Sequence, residues 1–96
     1  SDLRIPDAFL GVSQILHLFS IHEKEELSYG KTVEAISKAL LKEKAEIAKV
    51  LSMMESFNLL EWKKNRKGEK AIHLIAGSDF IEKAIKIYEI LKGCKA

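Results

Sequence analysis

Apolar residues recur along the chain at two different periods, and the change between them divides it into elements. Ala8, Phe9, Val12, Ile15, Leu16, Leu18 and Phe19 stand at helical spacing, which predicts a first helix over about 6–22. Pro6 suits its first turn, Asp7 suits the positive end of its dipole, and the charged run Glu23–Glu26 closes it. Leu27-Ser28-Tyr29 reads as a short extended piece before Gly30. Thr32 then suits an N-cap, its hydroxyl taking a free amide of the next helix. Val33, Ile36, Ala39 and Leu40 form the stripe of that second helix. After Lys42-Glu43-Lys44 a new stripe of Ile47, Val50, Leu51, Met54 and Phe57 predicts a third helix over about 44–57. Asn58 ends it, because Asn tolerates the left-handed backbone of a helix C-terminus.

From Leu59 the period shortens to two. Leu60, Trp62 and Lys64 share one face, with Leu59, Glu61 and Lys63 on the other. Asn65-Arg66-Lys67-Gly68 reads as a turn, and Ala71–Ile75 as the returning strand of a β-hairpin with a charged, flexible tip. Ala76-Gly77 breaks that strand. Ser78 or Asp79 caps a last helix over about 79–92; with Asp79 as cap, Glu82 sits at the capping-box position. Phe80, Ile81, Ala84, Ile85, Ile87, Tyr88 and Leu91 give this helix a wide apolar face.

The chain has 96 residues, 47% of them hydrophobic, enough for one compact core, so the expectation is one α+β domain over 1–96. Its apolar runs are too short to cross a bilayer, and no leader opens it, which predicts a cytoplasmic, nucleoid-associated protein. The single cysteine, Cys94, excludes an internal disulfide framework and fits a reducing compartment. Abundant Lys and Ile with a single Gln, at position 14, lean towards a thermophilic, archaeal-like source. The net charge of +2 is distributed unevenly: residues 1–30 carry two basic and five acidic groups, residues 59–77 five basic and two acidic. Positive charge is therefore concentrated in the hairpin, where it bears on the choice of partner.

The order helix, short strand, helix, helix, hairpin, helix is itself specific. The stretch Thr32–Glu61, TVEAISKALLKEKAEIAKVLSMMESFNLLE, resembles the helix-turn-helix and first wing strand of MarR-like and ArsR-like winged-helix regulators. Ile36 and Leu40 match the anchors of that family's first motif helix, Ile47 the β-branched residue early in its recognition helix, and Leu51 and Met54 the later anchors. Asn58-Leu59-Leu60 matches the Gly-Leu-Val that leads into the wing. Two positions depart from the pattern: Leu41 stands where the turn usually carries Gly, and Glu43 where the recognition helix usually has a Ser or Thr cap. The resemblance implies a winged helix-turn-helix, with the motif at about 32–57, a wing at about 59–75 and terminal helices flanking both.

It further implies a double-stranded DNA partner. With the stripe of the third helix turned inward, Lys44, Lys49 and Ser52 face outward, able to reach base edges or phosphates. A solvated helix face of mixed charge, with Glu46 beside them, would look the same. In the wing, Lys63, Lys64, Arg66, Lys67 and Lys70 crowd around Gly68, fit to hold the phosphate backbone or to place Arg66 in a narrow minor groove. Surface hairpins also carry lysines for solubility and edge protection. The terminal helices offer Phe9, Leu16, Ile81, Ile85, Tyr88 and Leu91 as a homodimer interface, which would set two recognition helices roughly 34 Å apart. Packing within one protomer is the alternative use of the same residues. An effector, if any, would be sought between the terminal helices.

His17 reads as a satisfied core or interface residue, His22 and His73 as surface or strand residues, Trp62 as packing and Cys94 as a spectator thiol. No phosphate loop, metal-ligand spacing or nucleophile motif appears, so neither cofactor nor metal nor enzymatic activity is expected. The expected function is a dimeric transcription regulator. A winged helix used for protein contacts, favoured by Glu43 and Glu46, and a sequence-independent architectural DNA-binding protein are the competing readings.

Overall fold

The computed structural model describes residues 5–21 and 27–93; His22, the run Glu23–Glu26 and Cys94 lie outside the described residues. Helix α1 runs Phe9–Ile21, α2 Tyr29–Leu40 and α3 Lys44–Ser56. Strands β1 (Leu60–Lys64) and β2 (Lys70–Leu74) follow, and α4 (Phe80–Gly93) ends the described chain. This is the winged-helix order: helices, hairpin, then a C-terminal helix.

Several boundaries differ from the periodicity, each for a local reason. Pro6, Asp7 and Ala8 form a turn, closed by the Phe9 amide donating to the Pro6 carbonyl at 3.0 Å, so α1 starts three residues late. Helix α2 starts early. Its N-cap is Ser28, whose hydroxyl accepts the Lys31 amide, rather than Thr32. Thr32 is buried in the first turn instead, where its hydroxyl donates to the Ser28 carbonyl at 2.9 Å. Of the extended piece expected at 27–29, one bridge survives, pairing Ser28 with Ala71 and tying the start of α2 to the wing. Asp79 does not cap α4. The chain enters that helix through a 3-10 turn, Gly77–Asp79, made accessible by the positive φ of Gly77.

The core forms where the stripes meet. Phe9 and Val12 of α1, Ile36 of α2, and Ile47, Val50 and Leu51 of α3 are wholly excluded from solvent. Met54, Phe80 and Ala84 close it from the ends of α3 and α4. A Cβ on Gly11 would lie 3.0 Å from Cδ2 of Leu40, so glycine there allows α1 to approach α2 closely. Phe57 is a correction to the third stripe: helix α3 stops before it, and it is 40% exposed at the C-cap. Leu18 of the first stripe is also exposed. Asn58 takes positive φ as expected, and the chain leaves α3 there for β1.

Candidate nucleic-acid interface

The hairpin pairs antiparallel, Leu60 with Leu74, Trp62 with Ile72 and Lys64 with Lys70. Leu60 and Leu74 are buried in the core; β1 grows more exposed towards the tip, while β2 alternates and keeps Ala71 buried one residue from its tip end. The tip is not a flexible loop. Asn65, only 8% exposed, accepts the amides of Lys67 and Glu69 on its side-chain oxygen, both at 2.9 Å. Its amide nitrogen donates to the Glu69 carboxylate at 3.2 Å, and Gly68 completes the turn at φ 79°. An Asn that folds back onto its own turn in this way fixes the backbone that carries Arg66 and Lys67. Both of those side chains are exposed.

The base of the wing is fixed as well. Trp62 on β1 meets Tyr29 of α2 edge to face, with ring centroids 4.9 Å apart. The ammonium of Lys70 lies 4.3 Å from the Trp62 centroid and 4.9 Å from that of Tyr29. With the Ser28–Ala71 bridge beside them, these contacts set the wing's direction relative to the helix-turn-helix.

The expected DNA-facing residues are all at the surface, but their charges are not equally available. Lys44 at the start of α3 sits 3.9 Å from the Glu34 carboxylate, which also holds Lys38 at 3.5 Å. Lys63 pairs with Glu61 at 3.7 Å, and His73 approaches the same carboxylate oxygen at 3.9 Å. Lys70 is stacked on the two rings. Among the described residues, Lys49, Lys64, Arg66 and Lys67 have no ion-pair partner, and three of these four are in the wing. Ser52 is exposed on α3, one turn beyond Ala48. Glu43 occupies the N-cap of α3 without a side-chain capping bond, and Glu46 in the first turn offsets one lysine. Helix α3 thus presents a nearly neutral face beside a strongly basic hairpin.

The terminal helices divide the expected interface residues into two sets. Phe9, Leu16 and Leu91 are buried inside the protomer, because α1 and α4 pack on each other and on the motif. Phe9 stacks on Tyr88 at 6.2 Å. Ile81 and Tyr88 are half-buried and Ile85 is exposed. These three line a cavity of about 620 Å³ between α1 and α4, together with Leu10, Ser13 and Gln14. His17 departs from expectation: its Nδ1 is buried without a hydrogen-bond partner. No group of His, Cys, Asp or Glu among the described residues is arranged to hold a metal, and no helix there is long and apolar enough to cross a membrane.

The cationic wing and the turn beginning at Asn65 are legible in the sequence, whereas the hold of the Asn65 side chain on that turn, the Lys70 stack and the Glu34 pair are not. Asn three residues before Gly68 was a legible turn signal. The stack and the pair depend on how elements meet: Lys70 reaches across the hairpin to Trp62 and to Tyr29 of α2, and Lys44 reaches back from α3 to Glu34 of α2.

No protein-family model matches the sequence, and no curated protein matches it. Among solved structures, the chain is similar to MepR, a transcription regulator of the Staphylococcus aureus multidrug efflux pump MepA. The TM-score is 0.54 at 19% identity, over 85% of this chain and 58% of that one. At this identity the likeness supports the winged-helix fold, and the chain spans less than two thirds of the structure it matches.

Proposed function

We propose that this chain binds double-stranded DNA and acts as a transcription regulator, with α3 in the major groove and the wing on the phosphate backbone. One observation carries the reading: Lys64, Arg66 and Lys67 stand exposed and without ion pairs on a hairpin whose turn is fixed by Asn65. Cations carried on a rigid turn bind phosphate without the backbone beneath them first losing conformational freedom. The similarity of fold to MepR supports the same reading.

In this arrangement Lys64, Arg66 and Lys67 supply most of the affinity, with Lys63 joining them when phosphate displaces Glu61. Lys49 and Ser52, with Lys44 once it leaves Glu34, contact the backbone or base edges from α3. Lys70 acts mainly by orienting the wing. A second copy of the chain docks through Ile81, Ile85 and Tyr88, so that the protein reads two half-sites. The near-neutral face of α3 favours a second reading, sequence-independent architectural binding in which the wing alone sets the affinity.

The test is fluorescence anisotropy of a labelled random-sequence duplex across a salt series. Binding with a steep negative salt slope, flattened by about one unit per cation removed in Arg66→Ala and Lys67→Ala, is expected. A folded sample that binds no duplex at low salt would overturn the DNA reading in favour of a protein-interaction winged helix. Equal affinity for every sequence in a competition series would favour the architectural reading.

A further inference from the structure

Leu41 lies in the turn between α2 and α3 and is in left-handed backbone, φ 54° and ψ 46°. Any residue with a Cβ is disfavoured there, and Gly or Asn is the usual solution. The conformation is imposed by the turn. The Leu41 and Lys42 amides both donate to the Ser37 carbonyl, and the Ser37 hydroxyl donates to the Lys42 carbonyl. Leu41 is 89% exposed, more than any other exposed large apolar residue among those described, the next being Ile90 at 64%. The fold thus holds an unfavourable backbone and an unburied isobutyl group at the same position, three residues before α3 begins.

We propose that Leu41 is a specificity-determining residue of the DNA-binding surface, its side chain presented to the 5-methyl group of a thymine. The inference rests on the DNA reading above. In that docking the N-terminal end of α3 enters the major groove first. The thymine methyl is the distinctive apolar group that base pairs display in that groove, and contact with it is a standard form of base readout. The beginning of α3 leaves room for the approach, since Ala45 is exposed and Ala48 half-buried with no bulk at either position. Hydrogen-bonding readout from this end is limited: Lys44 must first leave Glu34, and Glu43 and Glu46 can only accept, as from a cytosine amino group. An apolar contact from Leu41 would add recognition of the thymine methyl, which neither these carboxylates nor Lys44 supplies. A strained residue kept at a surface is a known sign of function.

The experiment uses the tightest-binding duplex that the wild-type chain selects from a random pool, made once with thymidine and once with deoxyuridine, which lacks the methyl group. Wild type is expected to bind the thymidine duplex about fourfold more tightly per contacted methyl, the affinity equivalent of burying one such group. Leu41→Gly is expected to bind both duplexes equally, at the wild-type affinity for deoxyuridine, and to melt no lower than wild type because glycine relieves the turn. Equal wild-type binding to the two duplexes, or discrimination kept by Leu41→Gly, would overturn the proposal while leaving DNA binding intact. A fall in melting temperature of several degrees in Leu41→Gly would also overturn it, by showing that Leu41 serves the fold. Absence of binding to either duplex by folded wild-type protein would overturn the DNA reading and this inference together.

Discussion

The ammonium of Lys70 lies 4.3 Å above the ring of Trp62, while its cross-strand neighbour Lys64 has no such partner. Two lysines opposite each other on a hairpin repel, and the stack removes one of them from the contest. Lys70→Ala is therefore expected to cost about 0.5–1 kcal/mol of stability, the worth of an exposed cation–π contact. It should change DNA affinity less than Lys64→Ala does. Trp62 is the chain's one tryptophan, so urea unfolding followed by its fluorescence reads the first effect directly. An affinity loss in Lys70→Ala equal to that of Lys64→Ala would return Lys70 to the phosphate-binding set.

Asn65 tests whether the wing works as a rigid clamp or as a mobile cluster of charge. Asn65→Ala leaves the Lys67 and Glu69 amides without their acceptor and keeps every cation in place. Loss of about 1–3 kcal/mol of stability is expected from the unsatisfied turn. DNA affinity should fall severalfold, with the salt slope unchanged because the number of phosphate contacts is the same. Unfolding curves and the anisotropy salt series measure the two separately. Unchanged affinity in the folded variant would mean that the order of the turn is irrelevant to binding.

Much of this arrangement was legible in the sequence. The stripes of Phe9 and Val12, of Ile36, and of Ile47, Val50 and Leu51 specify three helices around one core, and the change of period at Leu59 marks the wing. What stayed hidden depends on geometry between elements. Ser28 and Thr32 are both reasonable N-caps; the bridge from Ser28 to Ala71 fixes the first turn around the earlier one. Phe9, Leu16 and Leu91 have the same apolar character as Ile85, and only the packing of α1 on α4 separates core from surface. Charge alone likewise does not show that Lys44 is held by Glu34 and Lys49 is not.

That ion pair yields a prediction of opposite sign to most surface mutations. Glu34 holds Lys44 at 3.9 Å from the preceding helix of the motif, with both side chains more than half exposed. Such a pair contributes less than about 0.5 kcal/mol to stability, so Glu34→Gln should fold normally. Removing the carboxylate frees Lys44 and takes one negative charge from beside the DNA. Binding should tighten a fewfold at low salt, and the gain should fade as salt rises and screening takes over. Weaker binding by Glu34→Gln would show that Lys44 is useful only while Glu34 holds it in position.

The residues lining the cavity between α1 and α4 offer a test of the proposed dimer. Ile85 is 43% exposed and Phe9 is wholly buried, although both belong to the terminal helices. If a second copy covers Ile81, Ile85 and Tyr88, placing a charge at position 85 buries it in the dimer and leaves the protomer's core untouched. Ile85→Glu is then expected to sediment as a monomer where wild type sediments as a dimer, and to lose DNA affinity because one half-site is given up. Phe9→Ala should instead unfold the protomer, at about 3–5 kcal/mol for a buried aromatic ring. Sedimentation velocity at micromolar concentration, paired with thermal unfolding, distinguishes the two. Wild-type protein that is monomeric throughout would assign the exposed faces of α1 and α4 to a partner other than a second copy.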